Sequence, residues 1–198
     1  MSHVSAGIIN ESGGGTGVIE DWEGSSPLSN WSGNTGSFRV QQSTVYDGST
    51  ALECTDNTEN SITKDGLTVA PEDTPVSEYF WNDSSTNEVG IVFGAQSTDG
   101  NQTLDCYKGV VNSQSTFALL IQSNNSKGSI TYTGVSNAFD GWTKLTVDWQ
   151  SDGTISVTFT DTTGTTTTIS ATDTTYSSGR IGVVLDDTNY ADYLYYGT

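Results

Sequence analysis

The chain has 198 residues, with 22 Gly, 3 Pro, many Ser and Thr, and few Leu, Lys or Arg. Its 24 Asp and Glu against 6 Lys and Arg give a formal charge of −18, which excludes binding to nucleic-acid phosphates or anionic membranes, because counterion release needs cations on the protein. No helical apolar period exceeds a turn or two, and no run approaches the roughly 18 apolar residues of a membrane span, so neither a helical fold nor membrane insertion is expected.

Residues 1–17 read as an arm. Gly13, Gly14, Gly15 and Gly17 set apart a small apolar patch at 6–9. Such an arm is either a disordered terminus or a docking strand for a neighbour's sheet edge. The opening MSHVSAGIINESGGG has no basic or apolar region of the secretory kind, so no signal peptide is read there. His3 is the one histidine, which excludes a His-based triad and a multi-His metal site.

Residues 18–22 read as the first strand, and EGSSPLSNW as a loop carrying Trp31. Short strands follow at 38–41, 44–46 and 51–55, with a turn at Asp47-Gly48-Ser49. Leu52 and Cys54 share a face, which puts Cys54 in the core. A weaker strand at 60–64, a turn at Asp65-Gly66 and a surface connection at 71–75 come next.

VSEYFWN, at 76–82, has apolar residues on both faces: Glu78, Phe80 and Asn82 point one way, and Ser77, Tyr79 and Trp81 the other. EVGIVFGAQ, at 88–96, carries Gly90 and Gly94 on one face, a mark of close backbone approach or of an open floor. Strands at 103–111, 116–122 and 129–133 continue the series.

The clearest stretch is WTKLTVDWQSDGTISVTFT, at 142–160. Leu145, Val147 and Trp149 alternate with polar residues, Ser151-Asp152-Gly153 turns the chain, and Ile155, Val157 and Phe159 alternate again. That is one hairpin with an oily face, and it needs a second apolar layer. Strands at 165–169, 180–185 and 191–196 close the chain. About fourteen short strands with turns every eight to twelve residues predict an all-β fold, a two-sheet antiparallel β-sandwich of jelly-roll type over residues 18–198.

Cys54 and Cys106 are the two cysteines, and in ordinary strand sequence they do not make a metal site. One disulfide or two buried thiols both fit. Asn10, Asn30, Asn82, Asn101 and Asn124 each open an N-x-S/T sequon, as expected often by chance in so Ser- and Thr-rich a chain.

Four stretches resemble the concanavalin A-like lectin/glucanase superfamily, which includes laminin-G-like domains. They are Asp21-Trp22-Glu23-Gly24 with Trp31, the turn and strand Asp47 to Leu52, the hairpin at 142–160, and Arg180-Ile181-Gly182-Val183 with Ala191-Asp192-Tyr193. The resemblance implies a jelly roll with one concave sheet, and fold alone does not give function. It also implies where a structural Ca²⁺ would sit, with Glu23 and Asp192 as ligands and Asp21 nearby; solvated surface acids are the plainer reading.

A retaining glucanase needs two carboxyls about 5 Å apart. The family's Glu-x-Asp-x-x-Glu run is missing, and Glu78 is followed at the two-residue spacing by Phe80, so no enzymatic activity and no required cofactor are expected. Sugar binding needs aromatic planes and polar groups. Tyr79, Trp81, Gln96 and Tyr107 are the candidates if their strands form the concave sheet; Trp149 and Phe159 are core.

An acidic chain with so few lysines suits very salty water, where the Debye length shrinks to roughly 3 Å at 1 M. The expectation is a surface-displayed adhesion or structural module of a halophilic virus or a haloarchaeon, such as a capsid turret, decoration or tail-fibre subunit. It would assemble as a homo-oligomer or with other virion proteins through the arm, and meet host glycans. A carbohydrate-binding module of a secreted protein is the alternative reading.

Overall fold

The computed structural model describes residues 17–82, 88–98, 104–112, 114–124 and 126–198. The arm read at 1–17, with His3, lies outside them apart from Gly17, as do Asn10 and Asn101. Fifteen strands occur among the described residues. They are β1 (Gly17–Glu20), β2 (Trp31–Gly33), β3 (Phe38–Gln41), β4 (Ala51–Cys54) and β5 (Asn60–Val69). Then come β6 (Val76–Trp81), β7 (Glu88–Ala95), β8 (Cys106–Asn112), β9 (Thr116–Ser123) and β10 (Ser126–Gly134). The last five are β11 (Trp142–Trp149), β12 (Thr154–Thr160), β13 (Thr166–Thr172), β14 (Gly179–Leu185) and β15 (Tyr190–Tyr196).

They form two antiparallel sheets, the jelly-roll sandwich that the spacing predicts. Sheet one runs β13-β12-β11-β6-β15-β4-β3, with β1 beside β15. Sheet two runs β10-β9-β8-β7-β14-β5-β2. The hairpin holds its expected register, with Leu145 opposite Phe159, Val147 opposite Val157 and Trp149 opposite Ile155. All six are buried in the layer between the sheets.

Sheet two supplies the facing side. Phe93 and Tyr107 each bring a ring centroid to 5.7 Å from Trp149, and Phe117 lies 5.8 Å from Phe159. The layers meet closely at Gly109, where an added Cβ would stand 2.8 Å from the Val157 Cγ1. A second apolar cluster, including Val92, Leu104, Cys106, Val110 and Leu120, lies apart from this core.

Three expectations are corrected. Residues 44–46 are not a strand, because their hydrogen-bonding groups go to side chains. The Gln41 Oε1 accepts from the Ser43 and Thr44 N–H, and the Asp192 carboxylate takes the Tyr46 N–H. The segment at 60–64 continues through Asp65-Gly66 to Val69 as one long strand. Asn82 is fully buried, so its sequon is closed to modification.

Cys54 and Cys106 are free and buried, in separate clusters: Cys54 in the layer between the sheets and Cys106 in the second cluster. A disulfide needs Cα atoms within about 7 Å and converging side chains. Burial pushes the Cys106 thiol up to about 12. A thiol reagent is therefore expected to label neither cysteine in the native protein and both after unfolding. Added reductant should leave the melting temperature unchanged; a drop of several degrees would contradict the free thiols.

Candidate functional site

The outer face of sheet one is set by the inner face. Burying Leu145, Val147 and Trp149 on β11 turns Trp142, Lys144 and Thr146 to the other side. Strand β6 pairs with β11 so that Trp81 opposes Trp142, Tyr79 opposes Lys144 and Ser77 opposes Thr146. Strand β15 then sets Tyr190 against Trp81, Asp192 against Tyr79 and Tyr195 against Ser77. The register shifts between Asp192 and Tyr195, and Tyr193 in that shift has φ of 57°. Such a bulge re-aims side chains.

The result is a belt of partly exposed rings. Tyr46 stacks on Tyr79 with centroids 3.6 Å apart, and Trp142 meets Tyr46 at 5.7 Å and Trp81 at 6.0 Å. Tyr195 continues the belt 6.4 Å from Tyr79, and Tyr193 lies 5.4 Å from Tyr195. Tyr46, Asp47, Tyr79, Tyr193 and Tyr195 line an open depression of about 600 Å³. Burial first, then its hydrogen bond with Tyr46, raise the Tyr79 phenol, so it stays neutral.

Tyr46 comes from an irregular loop that side chains hold in place. The Asp192 Oδ2 accepts from the Tyr46 and Asp47 N–H at 2.9 and 3.1 Å. Glu23 Oε1 accepts from the Ser49 and Thr50 N–H at 2.5 and 2.7 Å. Burial pushes Asp192 up to about 6, although these donors pull the other way. Burial acts likewise on Glu23, but the Ser49 and Thr50 N–H groups outweigh it and hold the carboxyl below its usual range.

These contacts show what the three acids of the calcium set do in this structure. Glu23 and Asp192 both reach one loop and accept its N–H groups, while Asp21 accepts from the Glu23 N–H. Among the described residues no group of three or more His, Cys, Asp or Glu is placed to hold a metal ion. The residues present do not fit Ca²⁺, which wants six to eight oxygens.

The four sugar candidates divide. Tyr79 and Trp81 lie together in the belt. Tyr107 points the other way, into the core, fully buried, with its hydroxyl donating to the Asp173 Oδ1 at 2.6 Å. Gln96 is exposed beyond the end of β7 and donates to the Gly94 and Ser178 carbonyls. Both belong to sheet two, so neither joins the belt. Sequence reasoning passed over Tyr46, Trp142, Tyr193, Tyr195 and Lys144. The outward phase of Trp142 and Lys144 was readable from the hairpin; the loop and the bulge behind the others were not.

Glu78 points inward and is wholly buried, and neither carboxyl oxygen has a hydrogen-bond partner. Burial, then the charges of Asp192 and Glu20, push it well above the carboxylate range. Sealed from solvent, it cannot reach a substrate as a hydrolytic acid.

No protein-family model matches the chain, and no curated protein matches its sequence. Solved structures do match its shape. A carbohydrate binding module from Bacillus subtilis aligns with a TM-score of 0.58 at 12% identity, covering 79% of this chain and 91% of that one. A Lotus tetragonolobus seed lectin aligns at 0.52 and 15%, covering 81% and 91%. A protein of unknown function from Shewanella oneidensis MR-1 aligns at 0.56 and 12%, covering 91% and 86%. The fold is thus a two-sheet antiparallel jelly-roll sandwich, shared in shape with these structures.

The buried carboxyl has a measurable consequence. Its folded pKa is raised, so the native state holds the proton more tightly than the unfolded chain. Its contribution to stability is therefore lost as pH rises from the unfolded value through the folded one. Glu78→Leu is expected to stabilise the protein at pH 8 by about 1–3 kcal/mol, the scale of an unsatisfied buried polar group, and by less at pH 5. Denaturant melts at both pH values check it; equal effects would contradict the buried neutral acid.

Proposed function

We propose that the chain is a non-catalytic glycan-binding module whose binding face is the aromatic belt of sheet one. The observation that carries this is the run of rings from Trp81 through Trp142, Tyr46 and Tyr79 to Tyr195 beside an open depression. Sugar rings present C–H faces that pack on aromatic planes, while their hydroxyls need polar partners at the edge. The phenols of Tyr79, Tyr193 and Tyr195 and the carboxylate of Asp47 line that depression. The likeness to a carbohydrate binding module and a seed lectin supports the reading.

The charge supports a finer reading, that the module is displayed in brine, as on the outside of a halophilic virus particle or a haloarchaeal surface. A charge of −18 on 198 residues repels itself strongly at low salt, and molar salt screens that repulsion to a Debye length of about 3 Å. Assembly as a homo-oligomer belongs to this reading.

A glycan array probed at low and at molar NaCl tests the binding. Tyr46→Ala and Trp142→Ala are expected to weaken the best hit by about fivefold or more, on the scale of one aromatic contact, with unchanged circular dichroism. Binding to no glycan at either salt, or variants that bind as the parent does, would refute the proposal.

A further inference from the structure

The chain has six cations, and five of them are paired. Arg39 meets Glu53 at 2.7 Å, Lys64 meets Glu20 at 2.5 Å, and Arg180 meets Asp65 at 2.7 Å. Lys108 meets Glu59 at 2.6 Å, and Lys127 bridges Glu59 and Glu88 at 2.8 and 2.5 Å. Among the described residues Lys144 alone makes no ion pair.

Its position adds to this. Lys144 is half-buried on the outer face of β11, opposite Tyr79 on β6 and Thr160 on β12. Cross-strand neighbours on one face have Cβ atoms about 4.5–5.5 Å apart, so the Lys144 and Tyr79 side chains leave the sheet side by side. Trp142 is the next outward residue on the same strand. The nearest outward acid along β11 is Asp148, four residues away and so about 13 Å at strand rise. Asp192 lies two strands over, about 10 Å away, and its Oδ2 is held by the Tyr46 and Asp47 N–H groups.

We propose that the sugar taken by this face is acidic, with a carboxylate or sulfate that pairs with the Lys144 Nζ while its ring lies against the belt. The inference rests on the glycan-binding reading. A neutral sugar would leave Lys144, the cation without an ion pair among the described residues, with no counter-charge beside the binding surface. An anionic sugar supplies it, and a charge-assisted contact is stronger than a neutral one.

Salt should act in an unusual direction. The eighteen net negative charges repel an anionic glycan over the Debye length, about 10 Å at 0.1 M and about 3 Å at 1 M. A direct ammonium–anion contact is shorter than either length. Molar salt therefore removes more repulsion than attraction.

The test compares an oligogalacturonate, a sulfated galactan and a neutral galactan on the full chain, by calorimetry at about 0.1 and about 1 M NaCl. The parent is expected to prefer one or both acidic probes, and to bind them better at the higher salt. The two acidic arms tell carboxylate from sulfate. Lys144→Gln should lose about tenfold toward the acidic probe, one charged contact, and so lose the preference over the neutral one; Lys144→Arg should retain the preference. Binding of the neutral probe with no acidic preference, or an acidic preference that survives Lys144→Gln, would overturn this inference and leave the glycan reading standing. Binding of no probe, with an array also blank, would overturn both.

Discussion

The fold rests on the contact between the β11–β12 hairpin and the facing rings of sheet two. Leu145, Val147, Trp149, Ile155, Val157 and Phe159 form one side of that layer, with Phe93, Tyr107 and Phe117 opposite. Because strand side chains alternate strictly, this burial decides both faces of sheet one at once. A slip of one residue would send Trp142 and Lys144 inward and Leu145 out. Through pairing, β11 sets the phase of β6, and β6 sets that of β15. The aromatic belt is thus a geometric consequence of the core.

That dependence explains what could be read in the chain beforehand. The hairpin, the inward Phe80 and the outward Tyr79 and Trp81 all follow from a period of two, a local property. Placing Tyr107 with Tyr79 failed because phase within one strand says nothing about phase in a strand of the other sheet. Tyr107 shares its face with Gly109 and Val111 and faces Trp149. Loop 42–50 was harder still. Its backbone donors are bound by Gln41 next door, but also by Glu23 and Asp192, 145 residues away in the case of Asp47. Nothing local in TVYDGST marks such partners, so 44–46 read as a strand.

The same contacts sort the acids into three kinds. Glu20, Glu53, Glu59, Asp65 and Glu88 pair with cations. Glu23 and Asp192 act as acceptors that shape a loop, the work a calcium ion would do from the other side of the charge balance. Glu78 has no such donors among the described residues, and burial holds its carboxyl well above the usual range. Composition shows only their sum, so it does not tell the acids that shape a loop from the one sealed in the core.

The rigidity of the belt bears on how any ligand would meet it. Trp81, Trp142, Tyr79 and Tyr195 stand on hydrogen-bonded strands, and Tyr46 stands on a loop with six of its N–H groups held by side chains. Little ordering is left to be done on binding, and lost ordering is a main cost of association. The matching hazard is self-association, since a fixed apolar surface is also a surface for a second copy. Salts that strengthen apolar burial make that hazard worse. An acidic remainder of the molecule opposes it at low ionic strength without touching the rings, and that protection shrinks with the Debye length as salt rises.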